Sequence, residues 1–526
     1  MTTAMKDSFD RFGDDLCQLL LTNLPIKDRL ILQSVSKQWL ALIFNTQTHL
    51  VFNKKLLNKM SLDSMSDYYQ TIKLFHVLVR KCRNITAVTI NVGSILPGAV
   101  HMMSRFINLL IKYSHRLRHI SIKLDYDGLW SVIDRTFERF FWRFGQQLLT
   151  FKFQGYNYQF NKQLFYEVVD AMPNLKTLDI NCKHPFNPES TVQLDDIFIG
   201  NNMCYLLPES LQSLNIKLAE TSLPLFANFA DIFGHQLISL TIQFDDLVVN
   251  DDNDDGDEVW TANLKPLSAG FRQMPRLRQL NFDLPIDFGA DFSVDLFSTI
   301  GRNCRQLRSL DYKSYFGNIL KIKAIFVAIN KHMSKQLQRL SLEWMCNNVD
   351  DNEDLEELSL TSDSLNRLHG LTHLTLRLYD WDIIGEQFFQ DIHLNLPRLQ
   401  SIHCDNAPIT EKSVQSIGQL AQLMDVCILS DSKYTAIKKS YIFNHLLIDT
   451  KAKHLYLQYK DSVRVRQRMF KCGKYLNKDY SNYNINDKNI DDSDDDISSG
   501  IDVIINSYNY TLYDSDDDYQ INTIIL

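Results

Sequence analysis

One formula recurs along this chain: an apolar residue, two unrestricted positions, a second apolar residue, one polar position and a third apolar residue. It stands at Ile85/Val88/Ile90, Leu117/Ile120/Ile122, Leu148/Phe151/Phe153, Leu175/Leu178/Ile180, Leu211/Leu214/Ile216 and Leu237/Leu240/Ile242. It continues at Leu277/Leu280/Phe282, Leu307/Leu310/Tyr312, Leu337/Leu340/Leu342, Leu371/Leu374/Leu376, Leu399/Ile402/Cys404 and Leu423/Val426/Ile428, with a weaker copy at Ala452/Leu455/Leu457. The twelve steps cover 452 − 85 = 367 residues, a mean period of about 31. The last two apolar residues flank a polar one, the period of a strand with one face buried. Between copies lie clusters at spacings of three and four, such as Phe137, Phe140, Phe141 and Phe144, or Ile319, Ile322, Ile325, Phe326 and Ile329, which predict helices. A chain of 526 residues is too long for one ordinary compact core. A repeated strand and helix resolves that difficulty, because each unit buries its apolar face against the next and the array grows in one direction. An ordinary doubly wound α/β sheet is the alternative, but it has no reason to repeat one strand formula a dozen times.

The formula L-x-x-L-x-L with a following helix resembles the leucine-rich repeat, in its longer, irregular form. Cys82 and Cys304 stand three positions before the first apolar residue of their copies, as in cysteine-containing repeats. The Asn that the family places after the triplet is missing from most copies, where residues such as Asp125, Lys183 and Pro285 stand instead. The resemblance implies an α/β fold, a horseshoe-like solenoid of about 12–13 irregular repeats over residues 81–460, with its turns closed by varied local bonding.

Strand alternation also says which side chains leave the core. If Leu117, Ile120 and Ile122 point inward, His119, Ser121 and Lys123 line the inner, concave surface, and the same offset applies to every copy. The charged members of that surface are Lys123, Lys152, Lys217, Lys313, Arg339 and Arg377 against Asp179, Asp283, Asp311, Glu343, Asp405 and Asp425, six of each sign. A nucleic-acid groove needs an uncompensated basic track, so this balance points to a protein partner. Lys123, Lys152, Asp179, Lys217, Asp283, Asp311, Lys313, Arg339, Glu343 and Arg377 are the candidate target-binding surface, although any one of them alone is simply a soluble position on a sheet.

The net charge of −8 is concentrated elsewhere. Residues 487–526 hold eleven Asp, no Glu and one Lys, hence −10, and residues 245–258 hold eight acidic residues and no basic one. The tail, with runs Asp494 to Asp496 and Asp516 to Asp518, is too charged and too poor in core formers to order itself, and a basic segment over 461–486 precedes it. No HExxH, GxxxxGK[ST], GxSxG or GxGxxG string occurs, and the nine Cys form no CxxC pair. Asp251, Asn253, Asp255 and Gly256 imitate half of a calcium loop, but its twelfth position is Ala262, where a bidentate Glu is required. We therefore expect no metal, no cofactor and no catalytic residue. The absence of a signal layout or a membrane-length apolar run predicts a cytoplasmic or nuclear protein without membrane contact.

Ahead of the repeats, Leu16, Leu19 and Leu20 share one helical face, Leu24-Pro25 breaks it, and Leu30, Leu32 and Val35 resume, with Asp28 placed to cap the second helix. LPIKD at 24–28, VSKQW at 35–39 and Leu42 resemble the F-box, whose members share a Leu-Pro-x-x-Asp step and a Val-x-x-x-Trp close. At the entry, Phe12-Gly13 stands where the family usually has Leu-Pro. The resemblance implies docking on a Skp-type adaptor, and through it a cullin–RING scaffold, by Leu16, Leu20, Leu24, Pro25, Leu32, Val35 and Trp39. It further implies a non-catalytic receptor that holds a protein target for ubiquitination. The alternative is a repeat scaffold or inhibitor without a ubiquitin link, its first helices forming a cap. The organisation expected is a tail over 1–10, an F-box over 11–50, a helical linker over 51–80, the solenoid, the basic segment and the acidic tail.

Overall fold

The computed structural model describes residues 13–22, 24, 37–53, 68–92, 99–124, 131–156, 169–183, 198–199, 204–205, 207–218, 223–244, 265–284, 290–314, 319–345, 360–379, 384, 387–405, 407, 409–430, 454–459 and 524–525. They fall into two compact units, Met1–Asp351 and Asn352–Leu526.

The first unit opens with helices α1 (Asp14–Thr22) and α2 (Lys37–Asn45) and strand β1 (His49–Asn53). Then follow α3 (Tyr68–Lys81), β2 (Ala87–Val92), α4 (Ala99–Tyr113), β3 (His119–Leu124), α5 (Ser131–Phe144), β4 (Thr150–Tyr156) and β5 (Thr177–Lys183). A short antiparallel pair, β6 (Phe198–Ile199) and β7 (Cys204–Tyr205), precedes β8 (Ser213–Leu218), α6 (Leu223–Phe233) and β9 (Ser239–Phe244). The unit ends with α7 (Lys265–Phe271), β10 (Gln279–Leu284), α8 (Ala290–Asn303), β11 (Ser309–Ser314), α9 (Ile319–His332) and β12 (Arg339–Met345). Apart from β6 and β7, each strand pairs in parallel with the next in chain order.

The second unit repeats the plan with β13 (His373–Tyr379), α10 (Ile392–Asn395), β14 (Ser401–Asp405), α11 (Glu411–Gly418), β15 (Asp425–Ser430) and β16 (His454–Tyr459). Its strands are again parallel, and β17 (Ile524–Ile525), the described part of the tail, adds to β16 in the antiparallel sense.

Every triplet of the sequence formula places its last two residues on a strand, from Val88 and Ile90 on β2 to Leu455 and Leu457 on β16. The chain is an α/β leucine-rich-repeat solenoid. Burial alternates strictly along β9 and β11, and the helical clusters close the other side: Phe137, Phe140, Phe141 and Phe144 of α5 are all buried, as are Ile322, Ile325, Phe326 and Ile329 of α9. Each such side chain contributes about 1.5–3 kcal/mol when removed from water. Gly270 of α7 marks how closely successive helices approach, since a Cβ there would stand 2.4 Å from the Phe226 ring of α6.

Two columns hold the repeats together besides the triplet. In seven copies a fourth buried side chain lies three positions before its first residue: Cys82, Met172, Met274, Cys304, Leu368, Leu396 or Leu420. The cysteines there serve as small apolar side chains. In five copies the residue immediately before the triplet is polar and reaches the backbone of the preceding repeat. Asn84 Nδ2 donates to Asn45 O (2.8 Å), Gln147 Nε2 to His115 O (3.3 Å), Asn174 Nδ2 to Gln146 O (2.9 Å), Ser210 Oγ to Leu175 O (2.7 Å) and Gln336 Nε2 to Gly301 O (3.3 Å). These bonds satisfy carbonyls at helix ends and turns.

The solenoid begins earlier than the sequence formula indicated. Strand β1 pairs with β2 and buries Leu50 and Phe52, and α3 buries Phe75, so residues assigned to the F-box end and a helical linker form a repeat of their own.

Burial pushes the thiols of Cys82, Cys304 and Cys427 up to about 12 from the usual 9.0, with a smaller raising contribution from Asp405 at Cys427. A thiol whose folded pKa is raised stabilises the fold fully below the unfolded value; that stability falls as pH rises through the window between the two. We expect stability to decline from about pH 9 toward 12, and iodoacetamide at neutral pH to label these thiols only on unfolding. Rapid labelling of the native chain at Cys304, read by mass spectrometry, would contradict this burial.

Candidate functional site

Two surfaces carry the residues singled out from the sequence. The first is the amino-terminal pair of helices. Cys17 and Leu21 of α1 pack inward with Trp39 and Ile43 of α2, and Gln38 Nε2 donates to Asp14 Oδ1 (2.6 Å) across the pair. Leu16, Leu19 and Leu20 remain 43%, 60% and 43% exposed, and Leu40 of α2 is exposed beside them in type. Leu24 is half-buried just after α1, its N–H donating to Leu21 O (3.1 Å). Trp39 is only 4% exposed, so of the expected adaptor-contact residues it is the one seated in the module's interior, where it packs α2. Pro25, Leu32 and Val35, with Asp28, lie outside the described residues.

The second surface is the polar face of the strands. In-register parallel pairing stacks equivalent side chains in rows, so a charged residue meets whatever the next repeat carries at the same position. Lys152 stands opposite Asp179 on β5, with Nζ 3.7 Å from Oδ2, and Asn215 Nδ2 donates to Asp179 Oδ1 (2.8 Å) from the far side. Lys313 faces Glu343 at 3.0 Å. Lys123, Asp283 and Asp311 are half-buried on the same face and Arg339 is exposed; Lys217 occupies its β8 position, its side chain outside the described ones. At the β3–β4 step, His119 Nδ1 lies 3.0 Å from Thr150 Oγ1. Burial, then the Arg118 and His49 charges, lower its pKa, which keeps the ring neutral at physiological pH.

Within the second unit the same stacking draws four side chains together. Arg377 on β13 approaches Asp405 on β14, Nε to Oδ2 3.8 Å, while His403 Nε2 lies 3.1 Å from Asp405 Oδ1 and 4.0 Å from Cys427 Sγ on β15. One imidazole nitrogen serves both Asp405 and Cys427, which is not the relay of a thiol protease, where the carboxylate takes the other nitrogen. The Cys427 thiol, raised to about 12, stays protonated and is no nucleophile at neutral pH. The cluster instead fixes a charge-balanced patch around a buried carboxylate. Asp405→Ala leaves Arg377 and His403 facing no anion, and we expect a loss of about 1–3 kcal/mol in urea unfolding, with Asp405→Asn losing less. Equal stability of Asp405→Ala and wild type would mean that solvent already replaces the pair.

His403 and Cys427 were missed in the sequence because neither belongs to a local motif; only the register places them side by side. Among the described residues, no group of three or more His, Cys, Asp or Glu is disposed to hold a metal ion, and no helix is long and apolar enough to cross a membrane. The calcium-loop imitation at 251–262 and the basic segment lie outside the described residues.

No family model matches this sequence, and no curated protein matches it. Among solved structures, the chain is similar to the crystal structure of the Rad7 and Elc1 complex in yeast, with 14% identity over 76% of this chain and 90% of that one and a TM-score of 0.36. It is also similar to the structure of the TLR13–ssRNA13 complex, with 10% identity over 74% of this chain and 55% of that one and a TM-score of 0.32.

Proposed function

We propose that this chain is a non-catalytic substrate receptor of a ubiquitin ligase, acting in the cytoplasm or nucleus: the first two helices bind a Skp-type adaptor and, through it, a cullin–RING scaffold, while the strand face holds a protein target. The observation that carries this reading is the row of open leucines on α1. Leu16 and Leu20 are each 43% exposed on a short helix whose inward face Cys17 and Leu21 already supply. A contiguous open apolar surface on a small module is the mark of a docking partner. Together with LPIKD at 24–28 and VSKQW at 35–39, it supports an F-box.

The strand face supports the other half. It carries both signs, and three of its charge pairs, Lys152–Asp179, Lys313–Glu343 and Arg377–Asp405, bridge repeats, which suits a folded or peptide partner of mixed charge. Partially exposed pairs such as Lys152–Asp179 contribute only about 0–1 kcal/mol to stability, so they can exchange partners at low cost when a target arrives. The chain then contributes proximity: it holds a target beside a charged conjugating enzyme and turns a bimolecular encounter into a local one.

Co-expression of the chain with a Skp adaptor, followed by purification through a tag on the chain, tests the reading. A stoichiometric adaptor band is expected. Its absence for the wild-type chain would leave a repeat scaffold without a ubiquitin link.

A further inference from the structure

The outer helical face of the early repeats carries a feature that neither the core nor the strand face explains. Trp142 of α5 is 89% exposed, while the buried stripe of that helix is already complete with Phe137, Phe140, Phe141 and Phe144. At 100° per residue, Trp142, Arg135 and Arg139 stand opposite that stripe. Among the described residues, Trp142, Glu138, Arg139 and Arg143 border an open surface depression of about 480 Å³. Two of these cations are held in place from α4 and the turn after it: Arg139 Nη2 donates to Asn108 Oδ1 (3.1 Å), and Arg143 Nη2 lies 3.4 Å from His115 Nδ1.

The charge around the depression is one-sided. Arg105 and Lys112 of α4 are exposed beside Arg135, Arg139 and Arg143, and among the side chains described on α4 and α5 the one carboxylate is Glu138. None of these cations lies within ion-pair distance of a carboxylate among the described residues. On the strand face three charge pairs bridge successive repeats; on this face, among the described residues, the cations meet no carboxylate.

The geometry points to a second docking surface, on α4 and α5, for an acidic protein segment that carries one bulky apolar residue. Guanidinium groups match carboxylates in a two-pronged geometry, and a flat exposed indole gains most when an apolar side chain covers it. Arg and Trp together are the composition of an interface hot spot. Glu138 borders the same depression and favours a polypeptide over a nucleic acid: a run of phosphates would place uncompensated negative charge against it, whereas a peptide can set a neutral or basic residue there. The surface stands apart from α1 and α2 and does not depend on the adaptor reading.

The test uses the full-length chain and fluorescence anisotropy with two probes: a labelled peptide of Asp and Glu interrupted by one Phe, and a labelled single-stranded DNA of equal charge. The peptide is expected to bind at about 50 mM salt and to weaken as salt rises. Trp142→Ala and Arg139→Glu should each weaken it by about ten-fold or more, as should deleting the Phe from the probe, while Lys335→Glu, at an exposed cation in the turn after α9, changes nothing. Because Trp142 and Arg139 are exposed, the variants should keep the wild-type melting curve, which separates lost binding from lost folding. The proposal is overturned if the peptide does not bind, if Trp142→Ala binds it as wild type does, or if the DNA binds more tightly and depends on the same residues.

Discussion

Phe106→Ala should lower the stability of the first unit by about 3–5 kcal/mol, the range for removing a buried aromatic ring. Phe106 of α4 is fully buried and lies at a junction of three elements, 4.1 Å from the Phe75 ring of α3 in a stacked arrangement and 5.1 Å edge-to-face from Phe52 of β1. Phe52 and Phe75 meet each other at 5.3 Å, so the three rings form a closed cluster in which every pair is in contact. Truncation removes two of the three contacts and leaves a cavity that neighbouring repeats cannot close, because their backbones are fixed by strand register. In a solenoid the cost is local: each repeat is stabilised by its neighbours, so hydrogen exchange should rise first in β1, α3 and β2 and only later beyond β5. Trp142→Ala on the next helix removes a still larger but exposed side chain and should stay within about 0.5 kcal/mol of wild type. Equal urea midpoints for the two variants would show that the aromatic cluster does not hold the early repeats.

The strands were legible because their signal is local. Alternation within six residues fixes a strand's inner face whatever the rest of the chain does, and Leu307, Leu310 and Tyr312 are all buried. The first strand escaped because its opening apolar position is Gln47, although Leu50 and Phe52 satisfy the rest of the formula. The fourth buried column was seen only at Cys82 and Cys304, because other copies fill it with Met or Leu, and the tie before the triplet escaped because it mixes Asn, Gln and Ser. Each is one physical role filled by several residue types. The strand-face residues were legible as a surface but their pairings were not: Lys152 and Asp179 are 27 residues apart, as are the residues of their strands that pair in register, and only that register makes them neighbours. The same limit hid the His403–Asp405–Cys427 cluster. Trp142 was not singled out in the sequence, although helical spacing sets it opposite the stripe of Phe137, Phe140, Phe141 and Phe144.

Replacing both Leu16 and Leu20 with Asp should abolish recovery of a Skp adaptor while leaving the chain's own unfolding curve unchanged within about 0.5 kcal/mol. The two side chains are each 43% exposed and lie one turn apart on α1. Burying such a leucine against a partner is worth roughly 1.5 kcal/mol or more, so losing two and setting carboxylates in their place should weaken the adaptor by at least about a hundred-fold. The family motif alone would have selected Trp39 as the position to change. Trp39 is the wrong choice, because it is buried: Trp39→Ala would cost about 3–5 kcal/mol within a small module that has little stability to lose, and adaptor loss would then report unfolding. Leu16 and Leu20 act at the surface and separate the two causes. A doubly substituted chain that still carries the adaptor in wild-type amount would end the F-box reading, whereas a wild-type complex lost on this substitution, with the unfolding curve intact, is what an adaptor seated on α1 requires.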